Sequence, residues 1–381
     1  MYIQVDELIA LRRELHRHPE LSGQEGATVG RIKKFVEQFN PSQIIDALGG
    51  HGLAVVYHFG EGPNVGIRCE LDALPIQERN DLNYASEHPG IAHKCGHDGH
   101  MTMVAGLAPW LASTPMTSGK VILLFQPAEE TGQGAPPMIE DLKTNDIELD
   151  YVFALHNIPG TPMHQVLYLE EGFSAEVISF IIKLDGRTSH AAEPLKGINP
   201  TLCISSLIQL LDQLNHHHPE DASYKILTPV HLNVGSPNYG ISPGYGQLHY
   251  TIRTWDTETM QELKDEIISI TKKTSAQHKL TSSIEWLEHF PASRNHPACN
   301  SIIKSAVQKV DVDSETQGHP FKFGEDFGWF SKEYRSGMFG LGAGIDTPPL
   351  HNATYDFPDE LIKTGIELWK SIISETISSS V

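Results

Sequence analysis

Residues 121–130 read VILLFQPAEE, an unbroken apolar run that ends in a proline and two adjacent carboxylates. A short apolar run of this kind is typical of a strand that is buried on both faces of a sheet. Similar runs occur at 53–59, 64–71 and 151–158, and GHMTMVAGLAPWLAS at 99–113 has the apolar spacing of a helix. Strands and helices that alternate in this way favour an α/β sheet covered by helices on both faces.

The pattern changes near residue 175. From VISFIIKL at 177–184 to SSIEWLEHF at 282–290, strand and helix patterns follow one another in the order β-α-β-β-α-β. This is the order of the split β-α-β unit of ferredoxin-like folds. We therefore expect a small α+β domain inserted at 175–288, and a discontinuous first domain made of residues 1–174 and 289–381.

Composition and charge exclude several classes of protein. The chain has 381 residues, enough for two domains, and a formal net charge of −20, which leaves no basic surface for nucleic acid. No apolar run approaches the roughly 20 residues that span a bilayer, and residues 1–20 lack the features of a signal peptide. We therefore expect a cytoplasmic protein that binds neither nucleic acid nor membranes. The 21 histidines are unusual, and several stand beside Cys, Asp or Glu.

Residues 93–100, HKCGHDGH, carry the first set of side chains that could bind a metal. Cys95 and His97 are two residues apart, and a loop at the start of the following helix can direct both at one point. Thiolate and imidazole are good ligands for zinc and similar ions. The alternative is a buried cysteine beside histidines of a loop.

Glu129 and Glu130 follow the central strand pattern, whose end opens at the edge of the sheet where α/β enzymes place their sites. Adjacent side chains of an extended chain diverge, so one carboxylate can bind metal while the other takes a proton from water. The alternative is a solvated pair at the start of a loop. His156 and His351 are also of ligand type and lie at strand or loop boundaries. Asp72 follows another strand, where an acid can orient a ligating imidazole.

These ordered motifs resemble those of the aminoacylase and carboxypeptidase superfamily of co-catalytic metal hydrolases. Within it, the chain is similar to the amidohydrolase branch that contains hippurate hydrolase, plant auxin-amino-acid conjugate hydrolases and N-acetyldiaminopimelate deacetylase. The resemblance covers nearly the whole chain and implies a zinc-peptidase-like α/β catalytic domain with an inserted ferredoxin-like α+β lid and dimerisation domain. It rests on LRRELHRHPELSGQE, ELDALPIQE, HKCGHDGHMTMVAGLA, LLFQPAEETGQGA, FALHNIPG, GRTSHAAEP, FGEDFGWF and PLHNATYDFPDE.

The resemblance also implies roles for individual residues. Glu129 matches the general base, and Asp72 matches an acid that supports the site. His190, in the inserted domain, matches a histidine that helps to bind the substrate carbonyl, often across a dimer interface. Arg253 matches an arginine associated with the substrate carboxylate, and the alternative is that it braces the lid strand or the dimer. Five residues match the positions of the metal ligands: Cys95, His97, Glu130, His156 and His351.

The chain departs from the family pattern at positions outside the metal ligands. Glu70 stands where an aspartate is usual. Gly240 stands where an asparagine contacts the substrate, and Asn238, two residues earlier, is the expected substitute. After the HAAEP motif of the inserted domain, Leu195 replaces a histidine and Asn199 an aspartate. The chemistry is therefore better defined than the identity of the substrate.

The activity implied by the resemblance is hydrolysis of the amide bond of an N-acyl amino acid or a short peptide. Water activated by two divalent ions, which are zinc, manganese, cobalt or nickel, attacks the amide, and Glu129 is the general base. A homodimer through the inserted domain is also implied. Two alternatives remain open: a dipeptidase or carboxypeptidase with the same chemistry, and a catalytically inactive binding protein on the same fold.

Overall fold

The computed structural model of the protein describes residues 4–378, which divide into two units. The first unit comprises the chain up to Phe173, the segment Ser293–Gly318 and the chain from Glu325 onward. The second unit comprises Ser174–Ala292 and His319–Gly324. Each unit has a sheet and a hydrophobic core of its own.

Segment 319–324 belongs to the second unit, whereas the sequence analysis assigns it to the first domain. Ala175 N–H donates to Phe321 O at 2.8 Å, and Arg253 Nε donates to Lys322 O at 2.9 Å. Hydrogen bonds between residues so far apart in sequence leave no periodic pattern, so the sequence could not indicate them.

The elements are numbered in chain order. The strands are β1 (Gln43–Leu48), β2 (Gly52–His58), β3 (Asn64–Glu70), β4 (Lys120–Gln126), β5 (Tyr151–Ile158), β6 (Val166–Tyr168), β7 (Gly172–Ser174), β8 (Glu176–Asp185), β9 (Ser189–His190), β10 (Lys225–Val234), β11 (Ile241–Ser242), β12 (Tyr245–Thr254), β13 (Thr281–Phe290), β14 (Ser293–Arg294), β15 (Ser314–Thr316) and β16 (Arg335–Gly342). The helices are α1 (Val5–Arg17), α2 (Gly26–Val36), α3 (His97–Ala105), α4 (Ala108–Ser113), α5 (Ala135–Thr144), α6 (Thr201–Asp212), α7 (Thr257–Gln277), α8 (Pro297–Val310), α9 (Gly328–Glu333) and α10 (Leu361–Ser378). Short 3-10 helices occur at Glu37–Phe39 and Pro194–Lys196.

The large sheet of the first unit has the strand order β1-β2-β4-β3-β5-β16-β6-β15. Its centre is parallel, since β3 pairs in parallel with β4 and β5, and β5 pairs in parallel with β16. β4, the strand of the VILLFQ run, is buried from Val121 to Gln126. Buried side chains of α1, α2, α3, α8 and α10 join those of the sheet in one core. The α/β architecture predicted from the apolar runs is confirmed.

The glycine-rich strand β16 is absent from the sequence predictions, although it lies beside β5 in the parallel centre of the sheet. Its glycines leave room for neighbouring elements. A Cβ at Gly337 would fall 2.7 Å from Cys299 Cβ, and one at Gly340 would fall 2.8 Å from Ile158 Cγ1. Close packing therefore requires glycine here and removes the β-branched residues that usually reveal a strand.

The helical pattern at 99–113 forms two helices, α3 and α4, rather than one. Pro109 lies in the first turn of α4, where its missing N–H is tolerated, but it would interrupt a continuous helix. Gly106, between the helices, faces α10, and a Cβ there would lie 2.7 Å from Ile366 Cδ1. Among residues 4–378 no helix has both the length and the apolar character needed to cross a membrane.

The second unit is a four-stranded antiparallel sheet, in the order β10-β12-β8-β13, with helices α6 and α7. Apart from the two-residue strands β9 and β11, which pair with each other, the elements follow along the chain as β8-α6-β10-β12-α7-β13, the β-α-β-β-α-β order read from the sequence. Apolar residues of both helices and of the sheet form its core, including Phe180, Leu207, Tyr250 and Ile267. β10 lies at the edge of this sheet.

Candidate metal centre

Neighbouring parallel strands end at one edge of the large sheet and bring polar side chains there. Glu70 is the last residue of β3, Glu129 and Glu130 follow β4, and His156 lies near the end of β5. The carboxyl ends of parallel strands meet at the same edge of a sheet, and α/β enzymes use this edge for their sites.

Gly96 sets the geometry of the segment that carries Cys95 and His97. Its φ of +95° lies in the left-handed region, and a Cβ at this position would fall 2.4 Å from Asn157 Oδ1. Any other residue would have both an unfavourable φ and a clash with Asn157, so glycine is needed here. Cys95 lies just before α3, and His97 is the first residue of that helix, whereas the sequence analysis places both on the loop.

The five residues predicted as metal ligands lie together in the first unit. Ligand atoms of Cys95, His97 and His156 lie within 4.8 Å of one another, and so do those of Cys95, Glu130 and His351. Cys95 Sγ is 3.4 Å from His156 Nε2, and His351 Nε2 is 3.6 Å from Glu130 Oε2. Because both groups contain Cys95, two adjacent ions held by them would share one sulfur ligand.

The hydrogen bonds of His97 and His156 determine which ring nitrogen of each can bind a metal. His97 Nδ1 donates to Asp72 O at 2.8 Å, and His156 Nδ1 donates to Asn157 O at 2.9 Å. A carbonyl oxygen only accepts hydrogen bonds, so the proton of each neutral imidazole lies on Nδ1 and the lone pair lies on Nε2. Nε2 is the nitrogen that faces the other predicted ligands.

Two buried polar atoms of this cluster, His97 Nε2 and Glu130 Oε1, make no hydrogen bond to any residue that the structure describes. They are 3.9 Å apart. Buried polar groups are almost always satisfied, so such atoms need an explanation. An imidazole lone pair and a carboxylate oxygen that face each other suit a cation, which both can bind.

Glu129 is buried beside these residues but is held differently. Its Oε1 accepts Asp326 N–H at 3.4 Å, and its Oε2 lies 3.9 Å from His97 Nε2. Burial, together with the neighbouring carboxylates of Glu325 and Glu130, raises the pKa of Glu129 well above its usual value. A carboxylate with a raised pKa is a stronger proton acceptor.

Glu129 and Glu130 lie in a turn, and not in the extended chain that the sequence analysis assumes. Ala128 enters the turn with a φ of +50°, and Gly132 N–H closes it by donating to Glu129 O at 2.8 Å. Glu130 N–H donates to Asp72 Oδ2 at 2.9 Å. The turn, rather than the alternation of a strand, therefore separates the two carboxylates.

Asp72 is fully buried and touches two of the predicted ligands. Its Oδ2 accepts the hydroxyl of Ser22 at 2.7 Å and the N–H of Glu130. From the sequence, the Asp72 carboxylate is expected to orient an imidazole. In the structure its backbone oxygen bonds His97 Nδ1, and its Oδ1 lies 3.6 Å from that nitrogen.

Several buried groups that surround the predicted ligands have no role assigned from the sequence. They are Arg68, His100, Asn157, Glu325 and Asp326. Arg68 gives the clearest signal, because a charge inside the apolar strand pattern NVGIRCEL requires buried partners. The other four have no spacing that separates them from loop or helix residues.

The residues that the resemblance assigns to the substrate lie in the second unit. His190 and Asn238 are exposed, and His190 Nδ1 accepts Ala192 N–H at 3.1 Å. Arg253, on β12, is half-buried, and its Nε donates to Lys322 O at 2.9 Å. Part of the guanidinium therefore braces the second unit itself.

Comparison with known proteins finds relatives along most of the chain. The model of peptidase family M20/M25/M40 matches residues 66–375. N-acetyl-L-cysteine deacetylase of Bacillus subtilis is 32% identical over 366 residues, which cover 96% of this chain and 87% of that protein. N-acetyldiaminopimelate deacetylase of the same organism is 29% identical over 374 residues, which cover 98% of this chain and 99% of that protein.

The fold also matches a solved structure. A dinuclear metal-binding peptidase of family M20 from Bacillus subtilis superposes with a TM-score of 0.84 and 23% sequence identity. The match covers 99% of both chains.

Proposed function

The chain belongs to peptidase family M20/M25/M40 and is a metal-dependent amidohydrolase, and we propose that it cleaves the amide bond of N-acyl amino acids. Two relatives are deacetylases of N-acetylated amino acids, which supports this substrate class. The observation that carries the proposal is the cluster of predicted ligands in which His97 Nε2 and Glu130 Oε1 are buried and without a hydrogen bond to any described residue.

Two divalent ions fit this donor set. Cys95, His97 and His156 form one group of donors, and Cys95, Glu130 and His351 form the other. Thiolate and imidazole favour zinc, and carboxylate with imidazole also suits manganese, cobalt or nickel. When bound, such ions polarise an amide carbonyl and make water a stronger acid.

Glu129 handles the protons of the reaction. Its Oε2, on the side of His97, takes a proton from water while the water oxygen bonds to the amide carbon. The C–N bond then breaks as Glu129 gives the proton to the leaving nitrogen, so the products are a carboxylate and a free amino acid. Asp72 supports this arrangement because it bonds the backbone of Glu130 and the ring of His97.

Residues of the second unit provide the substrate contacts in this proposal. His190 stabilises the carbonyl oxygen as negative charge develops, and Asn238 contributes a polar contact. Arg253 binds the free carboxylate with the part of its guanidinium that does not brace Lys322. His190→Ala lowers kcat/KM without loss of metal, and Arg253→Ala removes the preference for an acid over its α-amide if these roles are right.

A second copy of the chain pairs through the second unit. The edge strand β10 exposes Val230 by 59% and Leu232 by 50%, and Leu202 on α6 is 70% exposed. An open sheet edge with apolar side chains favours association. Leu232→Lys converts a dimer to a monomer in light scattering, and a wild-type protein that is monomeric at assay concentration contradicts the pairing.

The decisive experiment measures hydrolysis of N-acetyl amino acids, their α-amides and dipeptides, with added zinc, manganese, cobalt or nickel. N-acetyl amino acids are expected to be cleaved best, and metal removal by a chelator abolishes cleavage. Preference for dipeptides identifies the dipeptidase alternative. No hydrolysis with any metal supports the binding-protein alternative. Glu129→Gln is the control, since it keeps the metal while kcat falls about a hundredfold or more.

A further inference from the structure

Arg68, on β3, is fully buried, and its guanidinium is surrounded by acceptors. Its Nε donates to Gln126 Oε1 at 2.9 Å. Its Nη2 lies 2.7 Å from Asp326 Oδ1 and 3.0 Å from Glu325 Oε1. Its Nη1 bonds Glu70. The planar fork of arginine can meet several acceptors at fixed angles, which lysine cannot.

Asp326 is the point at which these contacts converge. Both of its carboxylate oxygens accept Gln126 Nε2, each at 2.8 Å. Its Oδ2 also accepts Ala135 N–H, at the start of α5, at 3.1 Å. Arg68 and Gln126 therefore hold the Asp326 side chain against β3 and β4, and Ala135 N–H holds it against α5.

The backbone of Asp326 faces Glu129. The backbone N–H of Asp326 is directed at Glu129 Oε1 at 3.4 Å. Carboxylate oxygens of Glu129, Glu325 and Asp326 lie within 4.8 Å of one another. Such carboxylates repel one another, so their positions depend on a fixed cation and on fixed donors. Arg68 supplies the cation, and Asp326 N–H supplies a donor to Glu129.

We propose that Arg68 and Asp326 are positioning residues for Glu129, which hold its Oε1 so that Oε2 points toward the predicted metal ligands. This inference rests on the proposed role of Glu129 as the base. Neither residue touches the reacting atoms. Arg68 fixes the carboxylate of Asp326, and the backbone of Asp326 fixes Glu129.

The test uses the metal-loaded enzyme with its best N-acetyl amino acid. Asp326→Asn keeps the size of the side chain but removes its charge and one acceptor. We expect kcat to fall about tenfold to a hundredfold, as for a misplaced catalytic group, with KM within about twofold and metal content unchanged. Asp141→Asn is the matched control, because that carboxylate anchors the N–H of Gly49 instead, and its kcat is expected to stay at the wild-type value.

A double-mutant cycle separates positioning from a general loss of structure. In a Glu129→Gln background, Asp326→Asn has no carboxylate to position, so we expect little further loss of kcat. An equal fold-loss in both backgrounds overturns the proposal. Full activity of Glu129→Gln alone instead overturns the proposed role of Glu129, so the two failures are distinguishable.

Two further variants keep the test independent of folding losses. Gln126→Met removes the amide bridge but leaves the Arg68–Asp326 ion pair, and we expect a smaller loss of kcat with KM unchanged. Arg68→Lys keeps the charge without the fork and is expected to lie between wild type and Asp326→Asn in kcat. If Asp326→Asn is not recovered as folded protein, unchanged kcat in Gln126→Met overturns the proposal.

Discussion

Two histidines of helix α3, three residues apart, differ in how their ring nitrogens are used. His97 Nδ1 bonds a backbone carbonyl, and its Nε2 has no hydrogen bond to any described residue. His100 Nδ1 lies 2.7 Å from Glu70 Oε2, and His100 Nε2 lies 2.6 Å from Asn157 Oδ1. Both rings are buried, and their centroids are 5.7 Å apart. Residue type and burial do not separate the predicted ligand His97 from His100, but the hydrogen bonds of their Nε2 atoms do.

The same difference extends to the groups on either side of these histidines. His100 belongs to a chain of satisfied contacts, because Asn157 Nδ2 donates to Tyr355 OH at 2.6 Å. Lys94 Nζ donates to Tyr355 O at 2.7 Å and to Glu78 Oε1 at 2.5 Å. These buried groups have partners and stabilise the fold, whereas His97 Nε2 and Glu130 Oε1 of the predicted metal centre make no hydrogen bond to any described residue. The contrast predicts which substitutions remove metal and which remove stability.

The largest effect is expected from the two histidines themselves. His97→Ala removes a donor from the cluster, so metal content and hydrolysis should both be lost. His100→Ala leaves buried acceptors of Glu70 and Asn157 unpaired, at a cost of about 1–3 kcal/mol each in the free energy of unfolding. Its metal affinity or activity should fall no more than about a hundredfold. Elemental analysis after desalting, with thermal unfolding, distinguishes the two. Equal loss of metal in both variants contradicts the distinction.

A smaller effect distinguishes the shared ligand from the unshared ones. Cys95 belongs to both donor groups, whereas His156 and His351 each belong to one. Cys95→Ser should therefore weaken binding of both ions, since an alcohol is a poor replacement for a thiolate. His156→Ala and His351→Ala should each weaken binding of one ion. Metal titration followed by calorimetry measures this, and loss of one ion only in Cys95→Ser excludes a shared sulfur.

The residues predicted as ligands can be picked out from the sequence because they lie at element boundaries. Cys95 and His97 flank the start of α3, and Glu129 and Glu130 follow β4. Ligand-type residues at such positions are recognisable by spacing and by family resemblance. The central strand β16 and the partners of Arg68 were not predictable in this way. Glycines stand in β16 where β-branched residues would indicate a strand, and the partners of Arg68 come from segments far apart along the chain.

A pH effect on stability is expected for His16, a buried histidine whose two ring nitrogens both have hydrogen-bond partners. Burial lowers the pKa of His16, but hydrogen bonds to Asp98 and Glu78, at 2.8 and 3.0 Å, raise it to about 9. Because the pKa in the folded state lies above the unfolded value, this stabilisation is complete below about pH 6.5. It is lost as the pH rises through about 9, and its full size is about 3 kcal/mol.

His16→Gln, which does not titrate, measures this contribution. In urea unfolding the difference in stability between wild type and variant should be largest near pH 6 and should shrink toward pH 9.5. His58→Gln, at an exposed position, is the control for the substitution itself. A difference that stays constant with pH contradicts the assignment of a charged His16 in the folded protein.

The smallest effect concerns Glu25, a buried carboxylate in which one oxygen accepts hydrogen bonds and the other accepts none from the described residues. Its Oε1 accepts Gly23 N–H at 2.9 Å and Ala128 N–H at 2.8 Å. Its Oε2 has no hydrogen-bond partner between residues 4 and 378. None of the groups of possible metal donors among the described residues contains Glu25. A buried oxygen without a hydrogen bond therefore does not by itself indicate a metal ligand. Burial raises the pKa of Glu25, and an amide oxygen at this position can accept the same two N–H groups. Glu25→Gln should thus change the free energy of unfolding by less than about 1 kcal/mol and leave metal content unchanged.

Glu25→Ala should cost about 1–3 kcal/mol in the free energy of unfolding and lower kcat, since it frees the N–H of Ala128, which leads into the turn of Glu129. Loss of metal in Glu25→Gln would show that an unpaired oxygen outside the cluster also binds it, and the rule drawn from His97 and His100 would then be too narrow.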